Sequence, residues 1–502
     1  MHKNLTDMKK TLIISTAITV VLLAPACKKF LDIRPEATVP LTGLDYTKPE
    51  NIILPISAAY ASLRNFNAHV FPYIGTFEIA ADNADKGSTP EDNPPMAEIN
   101  SFTFGPSNEL INEQWTGFYT IVSAANNGIS QMPLFEAALP LAIDKLAASQ
   151  GLAECKTLRA YAFFNLTRLF GRVPIIDTIL TSQQLAALNQ ASTQELYNFI
   201  KQDLLEAIPV LPTSYSSDFA GRLTTYSAMG IKAKVHLYLQ EYDSVASLTD
   251  RIIASGRFGL LPSFADYFSI FGKNSIESLF EIQSSTLGKT SGPQTWMEYA
   301  YVQGPRNNNP QGLQGWGFCV PSQDLINFFN SRGEVIRPAT TLLYRGTVTP
   351  EGDSIIVECT NPVYNGKVYT PLIYNKWYYN GYGFDQNVRV LRYADILLMY
   401  AEAKVRGATF PTVSGLTATD AINIIRRRVG LSNLANVTLQ QVLDERRSEL
   451  ALEEDRFFDL VRQGNAATVL APLGFVSPKN NVYPIPSAQM QLNLNLTQNP
   501  GY

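Results

Sequence analysis

The stretch Leu391-Arg392-Tyr393-Ala394-Asp395-Ile396-Leu397-Leu398-Met399-Tyr400-Ala401-Glu402-Ala403 decides the fold class. Tyr393, Ile396, Leu397, Tyr400 and Ala401 recur at i, i+3, i+4, i+7 and i+8, the period of one helix face. Leu398 and Met399 fall on the other side, so the spacing predicts a helix buried nearly all round. A second window, 158–169, repeats the pattern with Leu158, Tyr161, Ala162, Asn165, Leu166 and Leu169. Further helical windows cover 53–65, 112–131, 193–208, 224–240, 244–255, 418–428, 438–453 and 456–463.

These windows form adjacent couples: 146–170 with 193–208, 224–240 with 244–255, 389–406 with 418–428, and 438–453 with 456–463. Stop signals such as Gly171, Pro209, Gly256, Gly407, Gly430 and Gly464 follow the helices. Repeated helix couples predict a mainly α, tetratricopeptide-like solenoid, although no strict 34-residue consensus appears. Residues 84–110 and 285–388 differ. They are rich in Gly, Pro, Asn, Ser and Tyr and have little helical period. Loops of that length inside a domain usually carry function, so a long irregular, aromatic-rich face, 285–388, is expected on the helical scaffold.

The chain has 502 residues, 45% of them apolar and 17% charged, which supplies a large core and excludes intrinsic disorder. A net charge of −4 gives no general attraction to nucleic acid. Histidine occurs only at positions 2, 69 and 236, so chemistry based on a histidine base or a histidine metal cluster has little to work with.

The N-terminus reads as an address. Lys3, Lys9 and Lys10 precede an apolar run from Leu12 to Ala24, shorter than a membrane span of about 20 residues but suited to a signal-peptide core. The run ends in Ala24-Pro25-Ala26-Cys27. A cysteine directly after small residues suggests lipoprotein processing, with 1–26 as the signal peptide and Cys27 as the lipidated N-terminus; a plain secretory signal is the alternative. Cys155, Cys319 and Cys359 have no metal-ligand spacing. Cys155 lies in a helical window and is expected to be a buried thiol. Spacing leaves open whether Cys319 and Cys359 pair.

A set of motifs resembles the SusD/RagB family of Bacteroidetes outer-membrane lipoproteins. The set comprises Cys27-Lys28-Lys29-Phe30-Leu31-Asp32, Gly171-Arg172-Val173-Pro174 and the 391–403 helix. It continues with Ile425-Arg426-Arg427-Arg428, Glu445-Arg446-Arg447-Ser448-Glu449-Leu450, Arg456-Phe457-Phe458-Asp459-Leu460, Tyr483-Pro484-Ile485-Pro486 and the terminal Asn499-Pro500-Gly501-Tyr502. The resemblance spans essentially the whole chain. It implies one SusD-like domain over 27–502, with an N-terminal part to about 260 and a C-terminal part from about 261. It implies a surface-exposed outer-membrane lipoprotein that binds an oligosaccharide and serves a SusC-like TonB-dependent transporter. A peptide ligand, as on the RagB side of the family, or an adaptor without a solute site are the alternatives. No catalysis and no cofactor is implied. Glu454 stands where the family usually has Gly, and its effect is expected to be limited to local helix continuity.

Arg446, Glu449 and Glu453 lie at i, i+3 and i+7, and Arg392–Asp395 and Arg447–Glu454 are further candidate pairs. Glu402, Glu445, Glu449 and Glu453 sit among arginines. Ion pairs between helices are therefore expected rather than the two facing carboxyls a glycosidase needs. Asp82, Asn83 and Asp85 lack the spacing of a Ca²⁺ loop and are expected to be solvated or capping.

Sugar recognition needs flat apolar faces with polar groups beside them. Trp296, Tyr299 and Tyr301 supply three rings in six residues, followed by Arg306 and Asn307–Asn309, then Trp316. We take Trp296, Tyr299, Tyr301, Arg306, Asn307 and Trp316 as the candidate ligand residues. The 84–96 loop, with Lys86, Asp92 and Asn93, is the candidate opposite wall. Trp377, Tyr378, Tyr379 and Tyr382 suit a strand or a transporter-facing loop as readily as a sugar platform. Trp115, with Phe118, Tyr119 and Val122 at helical spacing, is expected in the core.

The address yields a first prediction. Cys27→Ala is expected to leave the protein unprocessed or released into the medium, because acyl chains on the sulfur supply the membrane affinity. Normal membrane retention of this variant in cell fractionation contradicts the lipoprotein reading.

Overall fold

Capping fixes where the helices start in the computed structural model, which describes residues 43–285, 295–308, 314–374 and 384–502. Ser192, Thr224, Thr417 and Thr438 each form a capping box, the hydroxyl accepting the N3 amide while the N3 side chain returns to the N-cap amide. The principal helices are α1 (Ile53–Ser62), α2 (Glu109–Ala138), α3 (Ala142–Phe170), α4 (Thr193–Ala207) and α5 (Thr225–Tyr238). They continue with α6 (Tyr242–Ala254), α7 (Tyr393–Val405), α8 (Ala418–Arg428), α9 (Leu439–Leu450) and α10 (Arg456–Arg462). The leader, Cys27 and the Trp377–Tyr382 cluster lie outside the described residues, which all fall in one compact unit.

Neighbouring helices pack in series: α2 on α3, α3 on α4, α5 on α6, α6 on α7, and α7 on α8 and α9. The expected mainly α scaffold is present. Every residue of α7 from Tyr393 to Ala403 is buried, as its all-round apolar pattern predicts. Trp115 is buried against Phe170 with ring centroids 4.9 Å apart. Cys155, Cys319 and Cys359 are buried free thiols, so the open pairing of the last two is resolved as unpaired. The chief partner of α3 is α2, which the paired reading of 146–170 with 193–208 omits.

Strands are short and occur in pairs. β1 (Ala84–Gly87) pairs with β3 (Phe318–Pro321), and β2 (Ser278–Ile282) with β6 (Val388–Arg392). Between them β4 (Leu342–Tyr344) pairs with β5 (Val363–Asn365). These pairs are antiparallel, as is a fourth, Thr347–Val348 with Ser354–Ile355. They gather the irregular segments onto the helical array.

Two expectations need correction at the end of α9. The helix stops at Leu450, because Leu452 and Glu454 both turn left-handed at φ +61°. What ties α10 to α9 is an ion pair, Arg446 Nε to Asp459 Oδ2 at 2.6 Å, while α10 sends Phe458 edge-on to Phe77. Glu454 therefore does more than adjust helix continuity. Its carboxyl is buried and accepts a hydrogen bond from the Tyr299 hydroxyl. Glu78, also buried, accepts the Glu454 and Leu452 amides. The proposed partners shift too. Arg392 pairs with Glu277, Glu449 and Glu453 rather than Asp395, and Arg447 with Asp82 and Asp324 rather than Glu454. Asp82 is not solvated. It is buried and held bidentately by Arg456 at 2.7 and 2.8 Å.

The carboxylates of α9 are ion-paired, as the sequence suggests. Glu449 meets Arg337 at 2.9 Å, Arg392 at 2.6 Å, and Arg428. Burial pushes its carboxyl up, but Arg428, Arg392 and Arg337 outweigh that and hold it well below the usual carboxylate range. A buried charge left without its partner costs about 3–5 kcal/mol. Glu449→Gln is therefore expected to destabilise the fold by that order in urea titration. A loss below about 1 kcal/mol contradicts this account.

Glu78 gives a pH signature. Burial raises its carboxyl to about 8. Glu454 is raised by burial first and by the nearby Glu78 second. An acid raised on folding binds more protons when folded, so stability falls as pH climbs from its unfolded value, 4.5 for Glu78, towards about 8. His69 and His236, lowered chiefly by burial, act the opposite way but only below about 6.5. The urea midpoint is expected to fall between pH 6.5 and 8, and to fall less in Glu454→Gly, which also suits the positive φ. A midpoint that rises over this interval overturns the assignment.

Candidate functional site

Tyr301 lies in a five-residue helix, Tyr299–Gln303, and neighbouring residues two apart on a helix point about 200° from one another. Tyr299 therefore turns inward to Glu454 and is buried, while Tyr301 turns to a cavity of about 600 Å³. Trp316 stands beside it, ring centroids 5.8 Å apart at 70°. Phe71 meets Trp316 edge-on at 5.7 Å, and Phe66 stacks on Phe71 at 6.2 Å. Phe318 also meets Phe71 edge-on, at 4.9 Å, so five rings line the cavity, with Tyr301 and Trp316 half-buried.

Close backbone contacts place Trp316. A side chain on Gly315 would strike the Tyr301 carbonyl, so only glycine lets the strand approach, and the Trp316 amide donates to that same carbonyl at 3.0 Å. Gly87, at φ +71°, faces the Gly317 carbonyl across the β1–β3 pair. That pairing brings the 84–96 loop to Gly317, where the Ser88 amide donates to its carbonyl, and Asp92 and Asn93 line the cavity, whereas Lys86 does not. Lys86 fastens the loop from behind by donating to the carbonyls of Thr89 at 2.7 Å and Asp92 at 2.6 Å.

The polar rim is organised by Arg306. Its guanidinium donates to Ser88 Oγ at 2.7 Å and to the Asp92 carboxylate. The Ser88 hydroxyl, the Thr89 amide and Arg306 together keep Asp92 below the usual carboxylate range. Asn307 is exposed and donates to Thr360 Oγ1 at 3.0 Å. Gln314 adds an amide. Glu109 and Glu113 follow one turn apart on α2, and burial raises the Glu113 carboxyl, with Glu109 adding to it.

Of the six candidate ligand residues, Tyr301, Arg306, Asn307 and Trp316 line this cavity, whereas Trp296 and Tyr299 do not. Tyr299 is a core residue. Trp296 is half-buried and precedes the Met297–Phe384 bridge. The sequence reading missed Phe66, Phe71, Glu109 and Glu113. Phe66 and Phe71 lie just past a helical window, and only the long-range approach of 315–318 reveals them. Asn309 lies outside the described residues.

Known proteins resemble the whole chain. Residues 360–502 match the profile of the "SusD family", and residues 29–237 that of "Starch-binding associating with outer membrane". "SusD-like protein P38" of Formosa agariphila is 27% identical over 95% of this chain and 96% of its own length. A "SusD-like protein" of Bacteroides ovatus is 25% identical over 90% of this chain and 82% of its own. The solved structure of a "Laminarin binding SusD-like protein" superposes with a TM-score of 0.77 and 26% identity over 90% of this chain and 99% of that one. "Surface glycan-binding protein A from Bacteroides thetaiotaomicron in complex with laminarihexaose" shares the fold, with a TM-score of 0.75 and 23% identity over 90% of this chain and 99% of that one.

The two tyrosines separate by experiment. Tyr299→Phe removes a buried hydrogen bond and is expected to lower stability by about 1–3 kcal/mol while leaving ligand affinity within twofold. A large affinity loss with an unchanged melting temperature would return Tyr299 to the site.

Proposed function

The chain belongs to the SusD/RagB family, and from that premise we propose that it captures a nutrient oligosaccharide in the Trp316–Tyr301 cavity and passes it to a partner TonB-dependent outer-membrane transporter. The observation that carries the reading is the convergence of Tyr301, Trp316, Phe66 and Phe71 with Arg306, Asp92, Asn93 and Asn307 around one open cavity. Aromatic faces suit the C–H faces of a pyranose. Guanidinium, carboxylate and amide groups at the rim suit its hydroxyls. The likeness to a laminarin-binding SusD-like protein makes laminarin and other β-glucans the first ligands to try.

The protein acts by binding alone. Glu402, Glu445 and Glu449 are locked to arginines, with Glu402 held near about 2 by Arg462 against the upward push of burial. Glu109 and Glu113 stand on one helix face, and Asp92, the third carboxylate of the cavity, is held by the Ser88 hydroxyl and the Arg306 guanidinium, an arrangement unlike a free acid and base flanking a scissile bond. In this reading residues 1–26 are a signal, Cys27 carries the lipid, and the mature chain sits on the cell surface.

Trp316→Ala removes a stacking face worth on the order of 1–3 kcal/mol by analogy with base–aromatic platforms. Calorimetry is expected to show an affinity loss of about 5- to 150-fold for the oligosaccharide selected from a panel of β-glucans, other glycans and peptides. Unchanged affinity removes the cavity from the proposal. Selection of peptides alone favours peptide uptake.

A further inference from the structure

The turn between α2 and α3 ends in an apolar tip that nothing in the described chain covers. Leu134 is 45% exposed, Leu141 59%, Ile143 67% and Leu146 49%. Within 133–146 the charged residues are Glu136, Asp144 and Lys145. Single exposed leucines are ordinary, but four large apolar side chains exposed within thirteen residues of one helical hairpin mark a surface that meets something apolar.

The tip is firmly built. Phe135 and Leu139 turn inward and are buried in a small core with Ile52, Ile56 and Met132. Leu139 and Leu141 are extended and flank the turn between the two helices. The outward set is therefore held out by the inward one.

Its position indicates what covers it. The described chain enters at Gly43, and Tyr46 packs edge-on against Phe135, ring centroids 4.9 Å apart. The N-terminal approach and the apolar tip thus share one end of the α2–α3 pair. Cys27 precedes Gly43 by sixteen residues, and an extended chain of that length reaches at most about 55 Å. A lipid on Cys27 confines this end to within that reach of a bilayer, so the exposed tip is free to meet it, and exposed leucine and isoleucine gain by entering the boundary between headgroups and acyl chains.

We propose that the α2–α3 tip docks on the lipid surface as a second contact that orients the anchored protein. This rests on the lipoprotein reading of Cys27. The acyl chains on Cys27 hold the protein at the membrane but leave its orientation free, and an apolar tip beside that anchor fixes which face turns outward.

The test uses the full lipidated protein on vesicles of phosphatidylethanolamine, phosphatidylglycerol and lipid A. The native thiols are buried, so an environment-sensitive fluorophore goes selectively to Ala142→Cys at the tip. Leu494→Cys serves as control beside the far end of α3, where Thr497 accepts a hydrogen bond from Arg172. Emission at position 142 is expected to rise at least threefold on vesicle attachment and to be quenched by brominated lipid, with position 494 unchanged. The pair Leu141→Asp and Ile143→Asp abolishes the rise while the protein still floats with vesicles. Flotation without any rise at 142 overturns the proposal. So does a rise that appears only when a barrel transporter is co-reconstituted, which assigns the tip to a protein partner. Failure to float overturns the anchor reading itself, and with it this one.

Discussion

Glu449 is the point at which the irregular segment 285–388 is tied to the helices. Its carboxylate receives Arg337 from that segment, Arg392 from the strand that leads into α7, and Arg428 from the end of α8. Arg392 and Arg428 also share Glu277, just before β2. These charges are nearly dry, and Arg337 is fully buried. Dehydrating such ions costs several kcal/mol each, and only a complete set of partners offsets it. An apolar contact could hold the same elements with equal strength, but many relative placements would satisfy it. The ion lattice is satisfied in one, so it fixes how the 285–388 segment sits on the helices.

A second lattice does the same along the solenoid. Arg446 draws together Asp395 of α7, Asp455 and Asp459, while Lys234 of α5 reaches Asp395 and Asp455. With both sets closed, the turn after α9 is held in its left-handed conformation, and Glu454 is carried under Tyr299. The cavity wall rests on that turn: Tyr299 anchors the short helix from below, Tyr301 leaves its other side, and Gly315 lets Trp316 close in. The cavity wall thus stands on a buried acid and a left-handed turn beneath it.

The helical scaffold was legible because periodic burial is a local signal. The stripe in 391–403 and the spacing of Trp115 with Phe118, Tyr119 and Val122 both placed their residues correctly. Other features depend on distant neighbours. Nothing near Arg392 points to Glu277, and nothing near Phe71 points to Trp316. The end of α9 was misread because neither Leu452 nor Glu454 is a glycine, so the left-handed turn leaves no mark. Tyr299 was misassigned because three rings in six residues read as one platform, whereas a single helical turn sends Tyr299 and Tyr301 to opposite sides. Asp92 and Asn93 line the cavity, as a polar, turn-rich segment suggests, but Lys86 of the same loop does not, because its ammonium is taken up by the loop's own carbonyls.

The central claim is that sugar binds where Tyr301 and Trp316 meet the Arg306 rim. A crystal structure of the complex with an oligosaccharide that binds in solution tests it most directly. The account predicts a pyranose ring in van der Waals contact with Trp316 or Tyr301, with hydroxyls hydrogen-bonded to Arg306, Asp92 or Asn307. A sugar found instead in the second cavity, of about 580 Å³ beside Tyr215, Arg257 and Lys273, with the Trp316 wall empty, contradicts it.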